Sequence, residues 1–174
     1  MKSERIVGLI LLQAASVVPL VAAALGAREL GIAIAWVAVA IQLAVSHDRR
    51  NDALVMLAAT VLGVGAELLL AALGPMQFAR IDALGMPLWL PPSWAVFGAA
   101  FGHVLARLRG RALASFVVGA IASALALEGA IAAGEVAVAQ PLSRVVIALA
   151  LGAVLAGISV LASRITDASS RTPP

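Results

Sequence analysis

The sequence predicts an all-α integral membrane protein, a bundle of six transmembrane helices with both termini in the cytoplasm. Three observations support this fold class: the composition, the length of the apolar runs and the distribution of basic residues. Of the 174 residues, 63% are hydrophobic and 12% are charged, and the mean hydropathy is +1.07. Soluble domains are closer to half apolar and a quarter charged, so this chain is too apolar for a solvated surface.

Six apolar runs have, or nearly have, the length of about 20 residues that a helix needs to cross a bilayer. The first run is too long for the apolar region of a signal peptide, about 7–15 residues, so we expect it to be retained. The polar segment that follows the membrane domain (1–163), Arg164–Pro174, is predicted to be disordered because Ser, Thr, Asp and Pro fill it. The predicted spans are residues 6–25, 31–46, 53–73, 92–108, 112–133 and 145–163.

The basic residues between the runs predict the orientation. With the N-terminus inside, nine of them lie in cytoplasmic segments and three in outer segments, which is a positive-inside bias. An even number of spans places both termini on the Arg-rich side, as expected for a multi-pass protein of the bacterial inner membrane. The cytoplasmic set is Lys2, Arg5, Arg49, Arg50, Arg107, Arg109, Arg111, Arg164 and Arg171, and the outer set is Arg28, Arg80 and Arg144.

Two glutamates lie inside predicted spans, Glu67 in the third and Glu128 in the fifth. A carboxylate at membrane depth costs at least ~2.5 kcal/mol on insertion scales and therefore indicates a functional site. At ~1.5 Å per residue, Glu67 lies about 21 Å and Glu128 about 24 Å from the inner ends of their spans. Carboxylates that face each other at matched depth would share a proton, a cation or a cationic ligand. We therefore predict a ligand- or ion-binding site at these two residues.

A structural role is the alternative for each glutamate. Arg144 begins the sixth span, and its long side chain would reach down to pair with Glu128. Glu67 would then be protonated or bonded to a neighbouring span. The alternative is stronger for Glu128, so Glu67 is the central candidate and Glu128 its conditional partner.

Other intramembrane residues have supporting or packing roles. His103 and Gln13 are candidates for supporting the site, although a lone histidine is more often a packing residue and a glutamine often bonds between helices. Gly98 and Gly102 form a GxxxG pattern that is typical of a close helix–helix contact.

Several classes of function receive no support from the sequence. The absence of cysteine excludes disulfides, thiolate catalysis and cysteine-based metal sites. No catalytic motif is present, so we expect neither an enzyme nor a cofactor, and no histidine cluster indicates a metal. Basic residues without interleaved aromatics argue against nucleic acid. The expected partners are the lipid bilayer and either other membrane subunits or a second copy of the chain.

Three stretches together resemble an uncharacterised family of small bacterial inner-membrane proteins, catalogued only as a domain of unknown function. The resemblance covers roughly residues 46–134. It implies a multi-span membrane protein and no activity, and Glu67 stands where the family tends to have aspartate in a Gly-x-x-x-Asp pattern. The stretches are Arg49-Arg50 with Leu62-Gly63-Val64-Gly65-Ala66-Glu67; Pro87-Leu88-Trp89-Leu90 with Trp94, Phe97, Phe101 and His103; and Leu108-Arg109-Gly110-Arg111 with the small-residue fifth span ending near Gly134.

The predicted architecture is also similar to two other groups of membrane proteins. These are the substrate-binding S-components of energy-coupling-factor vitamin transporters and the small membrane subunit of the rod-shape cell-wall machinery. The leading hypothesis is small-solute or ion handling, as a transporter or a substrate-binding membrane subunit. The alternative is a non-transporting structural or assembly subunit that docks through its small-residue faces.

Overall fold

A computed structural model describes residues 2–82, 84–101 and 104–170, and over these residues the chain is a helical bundle with one short two-stranded ribbon. Gly102 and His103, two predicted site residues, lie outside the described residues. In chain order the elements are α1 (Lys2–Ser16), α2 (Val18–Ala24), α3 (Arg28–Val45), α4 (Arg49–Ala72), β1 (Met76–Phe78), α5 (Leu90–Ala100), a 3₁₀ turn (Ala106–Leu108), α6 (Ala112–Ala132), β2 (Val136–Val138) and α7 (Pro141–Ser170).

Within the described residues, five helical segments are long and apolar enough to cross a membrane. Apolar side chains on their outward faces are exposed, which is the pattern expected of helices that contact lipid. The chain is therefore a helical membrane protein, as its composition predicts. The segments are Ile6–Ala24 (α1 and α2 together), Arg28–Val45, Arg49–Ala72, Ala112–Ala132 and Pro141–Ala168.

Pro19 explains why the first segment is interrupted between α1 and α2. Proline has no backbone N–H, so it leaves the carbonyl of Ala15, four residues earlier, without its helical donor. The hydroxyl of Ser93 in α5 lies 2.6 Å from this carbonyl oxygen, closer than the 2.8 Å to the carbonyl oxygen of Trp89, and can supply the missing hydrogen bond. This hydrogen bond therefore links the first segment, at its interruption, to α5.

The ribbon establishes which helix ends lie together. β1 follows α4 and β2 follows α6, and the two strands pair antiparallel, with Gln77 opposite Ala137. The C-terminal ends of α4 and α6 are therefore at the same end of the bundle, here called the ribbon end. Gly74 and Gly134 end the two helices with positive φ values of 90° and 71°, a conformation that favours glycine.

The predicted fourth span, residues 92–108, is not one continuous helix. The α5 helix has 11 residues and is about 16 Å long at ~1.5 Å per residue, too short to cross a bilayer. It begins at the ribbon end, and the 3₁₀ turn after it lies at the opposite end, where Ser159 of α7 donates to the carbonyl of Leu108. Two prolines start the helix, and Arg109 donates to the free carbonyl of Phe101 just beyond its end.

The last helix is longer than predicted. It continues to Ser170, so residues 164–170 of the segment predicted to be disordered are helical, and residues 171–174 lie outside the described residues. Ile165 packs against the core, and Arg109 donates to the hydroxyl of Thr166 at 3.1 Å. These contacts stabilise turns whose polar composition predicts disorder.

Gly98 lies at the contact between α5 and α4. A Cβ at this position would stand 2.6 Å from the Cβ of Ala59 and 2.9 Å from the carbonyl oxygen of Val55. Only glycine permits this approach, so α5 lies directly against α4 and brings Trp94 next to Glu67.

Candidate functional site

Gly63, Glu67 and Trp94 form one structural unit. Gly63 and Glu67 are one turn apart on α4, and a Cβ at Gly63 would overlap the indole ring of Trp94. The ring therefore lies flat across the helix. Its Nε1–H donates a 2.8 Å hydrogen bond to Oε1 of Glu67. In the Gly63-x-x-x-Glu67 pattern, the glycine thus leaves room for the indole to pack against α4, and the glutamate accepts a hydrogen bond from the indole N–H.

The Glu67 side chain is buried, with 9% of the residue exposed. Among the described residues it accepts this one hydrogen bond and makes no ion pair. A neutral donor compensates a buried carboxylate only in part, because a desolvated charge is stable when it is both paired and hydrogen-bonded. Among the described residues, no hydrogen bond reaches its second oxygen, Oε2.

Glu67 lines a cavity of about 850 Å³ inside the bundle. This volume is within the range of small-molecule sites, about 300–1,000 Å³. The walls come from α1, α2, α5, α6 and α7 and are mainly apolar. The polar side chains that line the cavity with Glu67 are Gln13, Ser16, Trp89, Ser93, Trp94 and Ser123.

The structure brings some of the predicted site residues together and separates others. Gln13 lines the same cavity as Glu67. Glu128 does not line it: its side chain is 53% exposed and lies 3.3 Å from Nε of Arg144, which is 50% exposed. The two glutamates therefore do not share one site, although the sequence predicts similar depths for them, because the Glu128 side chain is exposed and does not line the cavity.

A second buried cluster at the ribbon end was not predicted. The Arg28 guanidinium donates to both carboxylate oxygens of Asp82, at 3.0 and 2.9 Å, and its Nε lies 3.2 Å from Oε1 of Glu135. Trp89 donates to the other oxygen of Glu135 at 3.1 Å. The cluster joins the start of α3, the loop before α5 and the turn before β2, and through Trp89 it closes the cavity at that end.

The cluster lowers the pKa of Asp82, which lies in the loop before α5. The hydrogen bonds from Arg28 hold the pKa of Asp82 below its ordinary value, and the backbone N–H of Leu88 also donates to this carboxylate, at 2.7 Å. Asp82 therefore stays ionised under mildly acidic conditions. Its charge holds the loop before α5 against α3.

The sequence matches a family described as "Protein of unknown function (DUF2878)" over residues 5–157. The chain belongs to the DUF2878 family. This confirms the predicted resemblance to an uncharacterised family and extends it beyond residues 46–134. For this DUF2878 protein, no curated protein sequence and no solved structure matches.

Proposed function

We propose that this DUF2878 protein binds a small solute within the membrane at Glu67. It would act as a transporter or as the substrate-binding membrane subunit of one. The observation that supports this proposal is a buried carboxylate without an ion-pair partner among the described residues, on the wall of a cavity large enough for a small molecule. Ionisable residues inside membranes usually face the bundle interior or a cavity, where they mark the sites of substrates or ions.

The proposed topology has six crossings of a bacterial inner membrane, with both termini in the cytoplasm. The ribbon places the ends of α4 and α6 together, so the chain between them must return from the ribbon end to the opposite end. The α5 helix (Leu90–Ala100) and the 3₁₀ turn (Ala106–Leu108) lie along this return. A broken helix is tolerated at membrane depth where it is buried in protein or lines a cavity, and α5 meets both conditions.

Glu128 is not part of the proposed site, because it pairs with Arg144 and does not line the cavity. Gly98 does not offer a docking surface for the assembly alternative, since it faces α4 within the same chain. Any assembly surface would have to involve other residues.

Thermal unfolding of the purified protein with three probes tests the proposal. The probes are sodium ion, butylamine and dodecylamine. At least one is expected to raise the unfolding midpoint of the wild type, because a ligand at 100 times its Kd adds about 2.7 kcal/mol to stability. Glu67→Gln should lose this response, and Glu128→Gln, at an exposed position that does not line the cavity, should keep it. If no probe stabilises the wild type, or if Glu67→Gln responds equally, the proposal is wrong.

A further inference from the structure

The cavity is bounded by two groups of helices that touch only slightly. α6 packs along α7, whereas α1 packs along α3 and α5, and α2 packs along α3. Where α2 and α6 approach, a Cβ at Gly129 would meet only the end of the Leu20 side chain, at 3.7 Å. The two groups therefore leave a gap beside this point.

Apolar side chains that line the cavity are also exposed at this gap. Val17 and Val21 on one side are 45% and 51% exposed, and Leu125 on the other is 71% exposed. All three lie within candidate membrane spans, so in the proposed topology the surface outside them faces lipid. The cavity therefore opens toward the bilayer between α1–α2 and α6.

The chemistry of the cavity argues against a bare metal ion. Such an ion is held by several oxygen ligands, and among the described residues no three His, Cys, Asp or Glu side chains are grouped to hold one. The cavity offers one carboxylate within mainly apolar walls. This combination matches a ligand with one positive group on an apolar body.

Two indole rings in the cavity wall also favour a cationic ligand. Trp89 and Trp94 both line the cavity, and an ammonium group is attracted to the face of an indole. The Nε1–H groups of both rings are used, by Glu135 and Glu67 respectively. A ligand in the cavity therefore meets ring atoms at both tryptophans rather than free N–H donors.

We infer that the ligand is an apolar molecule with an ammonium group, which enters from the lipid through the gap between α1–α2 and α6 and pairs with Glu67. This inference rests on the proposed function and names its substrate class. The apolar body lies against the aliphatic walls, and the ammonium N–H groups donate to the carboxylate.

A binding experiment in phosphatidylcholine nanodiscs tests the ligand class. In Trp36→Phe protein the remaining tryptophans, Trp89 and Trp94, report binding by their fluorescence. Dodecylamine is expected to give a saturable change, with dodecanol binding at least about tenfold more weakly because it lacks the charge. Glu67→Gln should remove this difference, and Glu67→Asp, which keeps the charge, should restore most of it.

The outcomes separate the inference from the proposed function. Equal affinity for dodecylamine and dodecanol would overturn the ammonium assignment. If butylamine and dodecylamine bind with equal affinity and both need Glu67, the ligand does not require an apolar body. That result would overturn this part of the inference and leave the proposed function intact. If none of the probes binds, both fail.

The route is tested by narrowing the gap at Ala126, an exposed residue that lines the cavity. In stopped-flow measurements on the Trp36→Phe background, Ala126→Phe should slow association and dissociation of dodecylamine together by several-fold. Ala33→Phe, on an exposed position of α3 away from the cavity, should leave both rates unchanged. Unchanged rates in Ala126→Phe, or a change in only one of the two rates, would overturn entry through this gap.

Discussion

At the scale of single residues, Gly63 determines where the Trp94 indole lies. Gly63→Ala would drive a methyl group into that ring, and overpacking of this kind typically costs about 1–3 kcal/mol. We expect a corresponding loss of stability in denaturant unfolding of the detergent-solubilised protein. Gly65→Ala is the matched control, because a Cβ there meets nothing within 4 Å and alanine favours the helix by about 0.5–1 kcal/mol. Equal effects of the two substitutions would contradict the close packing of the Trp94 ring against Gly63.

Asp82 makes the free energy of unfolding depend on pH in the acid range. Because its pKa is lower in the folded protein than the unfolded value of about 3.9, its contribution is complete above that value and is lost as pH falls through the folded pKa. The free energy of unfolding, measured from pH 6 to pH 2, should therefore fall at the acid end. Asp82→Asn should be less stable at pH 6 and should lose less on acidification. An identical pH dependence in the two proteins would contradict this role.

The sequence made Glu67 a candidate because a charge inside a long apolar run stands out on its own. Glu135 was missed because it lies just after such a run, where charges are common and carry no signal. Arg28 was interpreted as an outer loop charge for the same reason. Their pairing depends on α3, α6 and the loop before α5 meeting at the ribbon end, and one sequence does not specify helix neighbours. The proximity of Trp94 to Glu67 was beyond prediction for the same physical reason.

At the scale of elements, the contact of α5 with the first segment depends on Pro19 and Ser93. Ser93→Ala leaves the Ala15 carbonyl without its donor, and an unsatisfied buried acceptor costs about 1–3 kcal/mol. In a Pro19→Ala background the new backbone N–H can bond to Ala15, so the same substitution should cost much less. Unfolding of the two single variants and the double variant in detergent measures this coupling. Additive effects would contradict the exchange of donors.

The long helices were predictable because each is a continuous apolar run of membrane-spanning length. The fourth run has the same composition, yet its α-helix ends at Ala100 and a 3₁₀ turn occupies Ala106–Leu108. What permits this is burial: α5 lies inside the bundle, where side chains such as Arg109 bond to its free carbonyls. Burial depends on tertiary packing, which the apolar pattern alone does not reveal.

At the scale of the whole molecule, the proposed topology predicts which loops face the outside. The chain has no cysteine, so single substitutions can be labelled without background. Leu84→Cys, in the exposed loop before α5, should react with a membrane-impermeant maleimide in intact bacterial cells. Arg50→Cys, at the start of α4, should react only after the cells are permeabilised. Labelling of Arg50→Cys in intact cells would reverse the orientation.

The central claim is that a ligand binds in the cavity beside Glu67, and the indole N–H resonances of the three tryptophans test it most directly. In ¹⁵N-labelled protein, each signal is assigned by the Trp→Phe variant that removes it. During titration with dodecylamine, the Trp94 resonance should shift and saturate, while Trp36, on the exposed face of α3, shows no saturable change. An unmoved Trp94 resonance, or the same shift in Glu67→Gln, would contradict the account.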